Sequence, residues 1–287
     1  MLLRVASFNI HHGVGLDGVL DLGRTAEVIR ETGAEIVGLQ EVDRHLSVRS
    51  GWIDQPGWLA ERLGMHVAYG ANIDLDPDDR RGPDAPRRHY GNAVLSAHPI
   101  GTWRNIPLPG RDGAEPRGLL AVRVAVDGAE GRRTGVVVGC THLQNRSSAE
   151  RLAQSAHVVE VLSPPPGTLE PTILLGDMNA GPEAAAVRTL TAAFTDAWAV
   201  AGTPGDPAAS FADAGAAAGT SGDLADAWAV AGTSGDPAAG LTFDAGSPHA
   251  RIDYVLTAGP VRARAAWVVP TDASDHRPVV ADLVVQS

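Results

Sequence analysis

The stretch that most decides the fold is residues 172–179, Thr172-Ile-Leu-Leu-Gly176-Asp177-Met-Asn179. Its apolar run predicts a buried strand, and polar residues follow where that strand ends. The same arrangement recurs in Arg4-Val-Ala-Ser-Phe-Asn9 and in Ile36-Val-Gly-Leu-Gln-Glu41. Because neighbouring strands bring their ends to one rim of a sheet, these polar residues are candidates for a shared functional site.

Outward from that stretch, short Val-, Ile- and Leu-rich runs bounded by turn residues predict nine strands, and helical spacing predicts four helices. The predicted strands are Leu2 to Phe8, Glu35 to Leu39, Gly91 to Ser96, Leu119 to Val126, Thr134 to Thr141, Thr172 to Leu175, Ile252 to Leu256, Val261 to Val269 and Val279 to Val285. The predicted helices are Leu22 to Thr32, Gln55 to Leu63, Ser147 to Leu162 and Pro182 to Ala192. This content indicates two packed sheets flanked by helices.

The charge balance excludes several chemistries. The chain of 287 residues carries 23 basic and 34 acidic side chains, a formal net charge of -11, and every basic residue is arginine because there is no lysine. Schiff-base chemistry, a lysine general base and the lysine of a P-loop are therefore excluded. The acidic balance argues against a broadly basic nucleic-acid surface and leaves room for a local arginine cluster.

Two features bear on the compartment. The single cysteine, Cys140, lies in the apolar run Gly135-Val-Val-Val-Gly-Cys140, which is typical of a buried structural thiol. The N-terminus lacks the apolar run and cleavage site of a secretory signal, and no stretch approaches the roughly 20 apolar residues of a membrane span. We therefore expect a monomeric, cytoplasmic protein without a transmembrane segment.

Two segments interrupt the alternation of strands and helices. Residues 76–90 are dense in Pro, Asp and Arg, which predicts a long surface loop. Residues 196–209 recur as residues 226–239 with one change, Pro204 to Ser234. Two copies are too few for a repeat array, so we interpret them as a duplicated low-complexity surface insertion at about 196–240 within a single domain, 1–287.

The polar residues at strand ends complement one another chemically. Glu41, Asn9 and Asp275 offer the oxygen ligands that Mg²⁺ prefers, whereas the chain lacks the close His and Cys spacing of a zinc site. His142 and His276 can each donate to a phosphoryl oxygen or act as a base. Each residue alone also fits a structural turn. Together they provide what phosphoester hydrolysis requires.

Seven short motifs carry a resemblance to a known family. They are Ser7-Phe-Asn9, Leu39-Gln-Glu41, Gly91-Asn-Ala-Val-Leu-Ser96, Thr141-His-Leu143, Gly176-Asp-Met-Asn179, Arg251-Ile-Asp-Tyr254 and Ser274-Asp-His276. In this order they resemble the endonuclease/exonuclease/phosphatase superfamily of deoxyribonuclease I-like, metal-dependent phosphoesterases, over nearly the whole chain. The resemblance implies an α+β fold, a four-layer α/β/β/α sandwich of two mostly antiparallel sheets flanked by helices.

The resemblance also implies roles for the metal site and the catalytic histidine. Glu41 matches the principal Mg²⁺ ligand, with Mn²⁺ as a possible substitute, and Asn9 and Asp275 complete or support the site. His276 matches the histidine that contacts the scissile phosphate, and Asp253 matches the carboxylate that orients it. An aspartate behind a histidine fixes its tautomer and raises its pKa.

The remaining predicted site residues surround the phosphate. Asp177 and Asn179 match the pair that positions the attacking water or leaving oxygen, and the choice of general base between Asp177 and His276 stays open. His142 matches a second phosphate donor. Asn145 and Asn92 are further candidates for substrate binding.

Substrate identity depends on what surrounds this site. Arg88, from the Arg-rich loop, and Arg117 are the predicted ligands of a substrate phosphate, and a solvated loop that offsets nearby aspartates is the alternative for Arg88. The acidic chain favours a phosphorylated small molecule or lipid headgroup. A DNA or RNA nuclease is the alternative, and a noncatalytic binding module is a third reading that the intact motifs disfavour.

Overall fold

The computed structural model describes residues 1–127, 133–164, 168, 170–201 and 240–286. In these ranges twelve strands form two six-stranded sheets. Each sheet has one parallel pair of strands near its centre, and its other neighbouring strands are antiparallel. The predicted pair of mostly antiparallel sheets is therefore confirmed.

The first sheet holds, in spatial order, β11 (Val261–Val268), β12 (Val279–Val285), β1 (Leu2–Asn9), β2 (Ile36–Arg44), β4 (Arg88–Ser96) and β3 (His66–Leu75). The second holds, in spatial order, β5 (Ile100–Pro107), β6 (Gly118–Asp127), β7 (Arg133–His142), β8 (Thr172–Asp177), β10 (Asp253–Ala258) and β9 (Thr195–Asp196). The helices are α1 (Leu22–Thr32), α2 (Gln55–Leu63), α3 (Ser148–Leu162), α4 (Ala185–Ala193) and α5 (Ala197–Val200).

Three hydrophobic clusters define four layers. The inner cluster lies between the sheets and includes Val5, Val138 and Leu175. On the outer face of the first sheet, α1 and α2 contribute residues such as Ile29 and Leu59. The outer face of the second sheet is covered by α3 and α4. This is the predicted α/β/β/α order, and burial of apolar side chains on both faces of each sheet stabilises it.

The sheets approach each other closely beside the parallel pairs. Gly38 of β2 faces the second sheet, and a Cβ at that position would lie 2.8 Å from Leu175 and 3.2 Å from Cys140. Cys140 is fully buried, and burial raises the pKa of its thiol to about 12. The prediction of a buried structural thiol is confirmed.

The helices begin and end close to where capping residues predict. Asp21 accepts from the backbone N–H of Arg24 at the start of α1, and Gly33 ends it in the left-handed region with φ of 62°. Ser147 caps α3 by accepting from Glu150, as its capping-box pattern indicates. The bounds predicted for α1 and α2 match those observed.

Three strands were not predicted, and all of them lie at sheet edges or are very short. β3 and β5 are edge strands with largely exposed or half-buried residues, so they lack the apolar runs that mark central strands. β9 has only two residues. The strand β4 also begins at Arg88, so the predicted loop of residues 76–90 is shorter than expected.

The first repeat copy differs from the predicted surface insertion at its beginning. Asp196 forms a 2.8 Å ion pair with Arg251, and Ala197 and Trp198 belong to the inner hydrophobic cluster. A Cβ on Gly240 would come within 2.7 Å of the Trp198 ring, so the ring packs tightly against the chain that follows the second copy. Asp196, Ala197 and Trp198 are thus part of the core, because the Asp and the Trp have partners there. Residues 202–239 lie outside the described residues.

No helix in the described ranges has both the length and the apolar character needed to cross a bilayer. The cytoplasmic location and the monomeric state stay predictions.

Deleting residues 196–225 tests how much of the duplication the fold needs. The shortened chain carries Asp226-Ala-Trp228 directly after Thr195, so the residue types that contact Arg251 and Gly240 are unchanged. We expect a folded, active protein whose melting temperature changes by a few degrees at most, since long insertions carry a small entropic cost. Thermal unfolding and activity assays measure this.

The matched control is Trp228→Ala within the shortened chain. Removing a buried tryptophan costs about 3–5 kcal/mol, so this variant should melt far lower than the shortened parent. Loss of folding in the shortened parent itself would contradict the prediction and show that both copies pack against the core.

Candidate active site

The strand ends converge because of the sheet topology. β1 and β2 run parallel, and so do β7 and β8, so their carboxyl ends lie at one end of the sandwich. The antiparallel strand β10 brings its first residue, Asp253, opposite Asp177. The antiparallel strand β12 likewise begins near the end of β1, and His276 lies just before it. The sequence-predicted polar residues therefore meet at this end.

Glu41 reaches the site through a bulge in β2. The pairing of β2 with β4 shifts between Leu39 and Val42, and Glu41 has a φ of 58°. Leu39 and Val42 are three residues apart, yet both pack into the outer cluster beneath α1 and α2. The extra residue resets the alternation of side chains, as bulges do, and frees Glu41 from the ladder.

His276 is held by a buried carboxylate. Its Nδ1 donates to Oδ2 of Asp253 across 2.9 Å, and its Nε2 lies 3.7 Å from Oδ2 of Asp177. Burial opposes a charge on this imidazole, but Asp253 and Asp177 outweigh it and raise the pKa of His276 to about 10. The pair has the geometry of a histidine oriented by an aspartate.

Asp177 occupies the centre of the arrangement. Burial and the neighbouring Asp253 raise the pKa of its carboxyl above the usual range. Its Oδ1 accepts from the backbone N–H of Asn179 at 2.8 Å, and its Oδ2 lies 3.3 Å from Nε2 of His142. Burial, with the charge of Arg117, lowers the pKa of His142 well below its usual range.

The side chains of Asn179 and His142 are in hydrogen-bond contact. The Asn179 side-chain amide donates to the carbonyl of Leu143 at 3.0 Å and lies 2.9 Å from Nε2 of His142. Asn179 has a φ of 49°, a left-handed conformation that asparagine tolerates better than most residues. The Asp177 and Asn179 pair therefore turns the chain so that both polar groups face the site.

Asn9 joins the carboxylates of Glu41 and Asp177. Its Nδ2 donates to Oε1 of Glu41 at 3.2 Å and to Oδ2 of Asp177 at 3.1 Å. Its Oδ1 accepts from the backbone N–H of His11. In this arrangement Asn9 bridges the two carboxylates, and its role as a metal ligand stays a prediction.

Glu41 and Asp275 have the character of a cation site. Burial of Glu41, together with the nearby Asp275 carboxylate, raises the pKa of Glu41. The Ser274 hydroxyl donates to the Asn9 carbonyl at 2.7 Å, which fixes this loop against β1, and its oxygen lies 3.3 Å from Oδ1 of Asp275. A buried carboxylate whose charge is destabilised in this way, with a second carboxylate beside it, fits a hard divalent cation such as Mg²⁺.

A cleft of about 570 Å³ opens over these groups. Three of the four predicted substrate residues, Arg88, Arg117 and Asn145, line it. Arg117 is buried and pairs with Glu115 at 2.9 Å, and no described residue bonds its Nε. These three residues stay candidates for substrate binding.

Asn92 does not line this cleft. It is buried, and its Nδ2 donates to the carbonyl of Gly118 at 3.1 Å, which also accepts from Thr141. The predicted direct contact with substrate therefore has no support in the geometry. Asn92 instead ties β4 to the start of β6, the position that follows Arg117.

Several residues of the site were not singled out from the sequence. His11 and His12 adjoin Glu41, and Arg49 lines the cleft while it pairs with the buried Asp43 at 2.7 Å. Phe243 stacks near His276 with ring centroids 4.9 Å apart. The two histidines had a signal, because they follow the Ser7-Phe-Asn9 motif by two and three residues. Arg49 and Phe243 had none, since only the tertiary fold brings them here.

Comparison with known proteins agrees with this geometry. The model of the Endonuclease/Exonuclease/phosphatase family matches residues 6–276. The uncharacterized protein YbhP of Escherichia coli (strain K12) is 33% identical over 183 residues, which cover 61% of this chain and 66% of YbhP. The match therefore spans just under two thirds of that relative's length.

Solved structures share the fold. An endonuclease/exonuclease/phosphatase from Beutenbergia cavernae DSM 12333 superposes with a TM-score of 0.68 at 30% identity, over 100% of this chain and 72% of the other. The mannosyl-6-phosphatase Bt3783 of Bacteroides thetaiotaomicron VPI-5482 superposes with a TM-score of 0.64 at 19% identity, over 98% and 99% of the two chains. The second likeness shows the fold alone. Since the family model matches from within β1 to His276, the chain belongs to the endonuclease/exonuclease/phosphatase family, whose members are hydrolases of phosphoester bonds.

Proposed function

We propose that this protein is a Mg²⁺-dependent hydrolase of a phosphoester bond in a small molecule or lipid headgroup, with Mn²⁺ as a possible substitute. The observation that carries the proposal is the buried His276–Asp253 pair, with Nε2 of His276 3.7 Å from Asp177. Hydrolysis of a phosphoester needs a donor to the phosphoryl oxygens and an acceptor for the proton of water. This end of the sandwich offers both.

His276 suits the role of donor. The Asp253 and Asp177 carboxylates, which raise its pKa to about 10 despite burial, keep its imidazole protonated at neutral pH. Because Asp253 holds Nδ1, Nε2 is the ring nitrogen that can donate to a phosphoryl oxygen. The imidazolium then stabilises the charge that develops on phosphate.

Asp177 suits the role of proton acceptor. The pKa of its carboxyl is raised toward neutral pH, and a general base works best when its pKa lies near the pH of the reaction. Asn179 and Asn9 each donate to one of its oxygens and fix its orientation. We therefore assign proton acceptance from the attacking water to Asp177 and donation to phosphate to His276.

The carboxylates of Glu41 and Asp275 would hold the cation. When bound there, a divalent cation neutralises charge on the phosphoryl oxygens. Asn9 keeps Glu41 in place through its 3.2 Å hydrogen bond.

The cleft supports a substrate of modest size. Its volume of about 570 Å³ is within the range of small-molecule sites. Three arginines at its wall, Arg49, Arg88 and Arg117, can bind anionic groups, and Ile73 and Tyr90 add apolar surface. The same fold serves a mannosyl-6-phosphatase in Bacteroides thetaiotaomicron, so it is compatible with action on a phosphorylated sugar. A panel of sugar phosphates, phosphodiesters, lipid headgroups and plasmid DNA, assayed with and without Mg²⁺, tests the substrate class.

The first prediction of this proposal concerns the cation. Activity on the best substrate should vanish in excess chelator and return with Mg²⁺ or Mn²⁺. Glu41→Gln removes the charge that the cation needs and should lower kcat by on the order of 10² or more, with a weaker dependence on Mg²⁺. Steady-state kinetics over a Mg²⁺ titration measures both.

Glu31→Gln is the control for Glu41→Gln, because Glu31 is an exposed residue of α1 outside the cleft. It should behave as the unaltered protein. Full turnover in excess chelator would overturn the proposal.

The second prediction separates catalysis from packing. His276→Ala should lower kcat by a factor on the order of 10² to 10⁴, the usual range for a positioned acid or base. Asp253→Asn should lower it by a related amount, because the amide cannot accept from Nδ1 and stabilise the imidazolium. The double variant should lose little more than the worse single variant, since the two side chains act as one unit.

Melting temperatures and metal content of these variants are measured alongside. Equal, modest and additive losses at His276 and Asp253, with metal content unchanged, would mean that the pair is structural.

The third prediction concerns substrate binding. Arg88→Ala should raise KM by about tenfold with little change in kcat, if Arg88 holds a part of the substrate remote from the reacting bond. Arg87→Ala is the matched control. Arg87 is the adjacent arginine, and it pairs with the exposed Asp74 and Asp76 away from the cleft. A similar rise in KM for both variants would show that loop charge matters and that Arg88 makes no specific contact.

A further inference from the structure

A histidine pair adjoins the carboxylate that we assign to the cation. His11, His12 and Glu41 can each offer one ligand atom, and these atoms lie within 4.8 Å of one another. The two imidazole rings are 4.6 Å apart at an angle of 75°. On the other side, Nδ1 of His11 lies 3.8 Å from Oδ1 of Asp275. Two imidazoles and the Glu41 carboxylate thus form one group of possible ligands, and the Asp275 carboxylate lies beside His11.

The backbone of His11, His12 and Glu41 is strained. His11 and His12 both have φ of 45°, and Glu41 has φ of 58°, so all three residues adopt the left-handed conformation that non-glycine residues disfavour. Such conformations persist when the surroundings hold them, and they concentrate at functional sites. Here all three residues whose ligand atoms lie close together have this backbone conformation.

Specific hydrogen bonds hold the histidine turn. The backbone N–H of His11 donates to Oδ1 of Asn9 at 3.1 Å, and Nε2 of Gln55 donates to the His12 carbonyl at 2.7 Å. Gln55 itself accepts from the backbone N–H of Asp43 at 2.9 Å through its Oε1. The turn is therefore fixed from both sides, by β1 and by α2.

One ring nitrogen of the histidine pair has no hydrogen-bond partner among the described residues. Nδ1 of His12 is buried, and no described group lies within hydrogen-bond distance of it. A buried polar atom without a partner costs free energy, which a ligand can recover. The positive charge of the nearby Arg49 is offset by the buried carboxylate of Asp43, to which Arg49 donates two hydrogen bonds, at 2.9 and 2.7 Å. Its repulsion of a bound cation is therefore reduced.

We propose that His11 and His12 add imidazole nitrogens to Glu41 and Asp275, so that this centre binds a transition-metal dication such as Mn²⁺ or Co²⁺ more tightly than Mg²⁺. Imidazole suits first-row transition metals, whereas Mg²⁺ prefers oxygen ligands alone. The inference rests on the proposed function, because it concerns the same Glu41 carboxylate. It changes the order of cation affinity and leaves the reaction unchanged.

Cation binding to the full chain, stripped of metal by a chelator, tests this inference without an activity assay. Calorimetric titration gives the affinities for Mg²⁺ and Co²⁺ in the unaltered protein and in His11→Asn, His12→Asn and the double variant. Asparagine tolerates the left-handed backbone and cannot supply an imidazole nitrogen. The double variant should lose on the order of 10- to 100-fold in Co²⁺ affinity, with a much smaller change for Mg²⁺.

The control for nonspecific loss of a histidine is His66→Asn. His66 is exposed and lies at the opposite end of β3 from the cleft residue Leu75. Its Co²⁺ affinity should equal that of the unaltered protein. Pulsed electron paramagnetic resonance of bound Mn²⁺ adds a direct readout, since coordinated imidazole produces nitrogen modulation that should disappear in the double variant. Melting temperatures confirm that each variant is folded.

A Glu41→Gln variant separates failure of this inference from failure of the proposed function. If Glu41→Gln abolishes binding of both cations while the histidine variants change neither, the centre uses oxygen ligands, the proposed function stands and this inference is wrong. If Glu41→Gln also changes neither, the cation assignment of the proposed function fails as well. Retained nitrogen modulation in the double variant would equally overturn the histidine ligands.

Discussion

The hydrogen bonds of Asn9 connect the two halves of the molecule at the point where chemistry is expected. Asn9 ends a strand of the first sheet, and its amide contacts Glu41 of that sheet and Asp177 of the second. The site therefore exists only while the two sheets keep their spacing. The inner cluster and the absence of a side chain at Gly38 set that spacing. Core packing and active-site geometry are one constraint here, because interiors transmit small displacements.

Most of the fold was predictable because its central strands carry long apolar runs with clear ends. The capping residues Asp21 and Ser147 likewise define helix starts from local chemistry. The edge strands β3 and β5 were not predictable in this way, since their residues are stabilised by pairing with a neighbour and not by burial. The packing of Asp196 and Trp198 was hidden because low-complexity sequence surrounds them and their partners, Arg251 and Gly240, lie far along the chain.

The candidate site shows the same division. His276, Asp253 and Asp177 stand at strand ends, so the alternation of apolar and polar residues indicates them. The proximity of His11 and His12 to Glu41 depends on the bulge in β2 and on three left-handed residues, which no periodicity reveals. Asn92 shows the opposite case, because a polar residue in a motif can also hold the scaffold together by bonding a backbone carbonyl.

The buried position of Cys140 has a practical consequence. Its sulfur lies between the sheets, within 3.2 Å of the Gln40 amide nitrogen, and it is the only thiol in the chain. A thiol with a pKa of about 12 reacts negligibly while it stays buried. The rate at which a disulfide reagent modifies the protein therefore reports how often the sandwich opens, with no engineered label, and the response to a bound cation or substrate can be followed at a single natural atom.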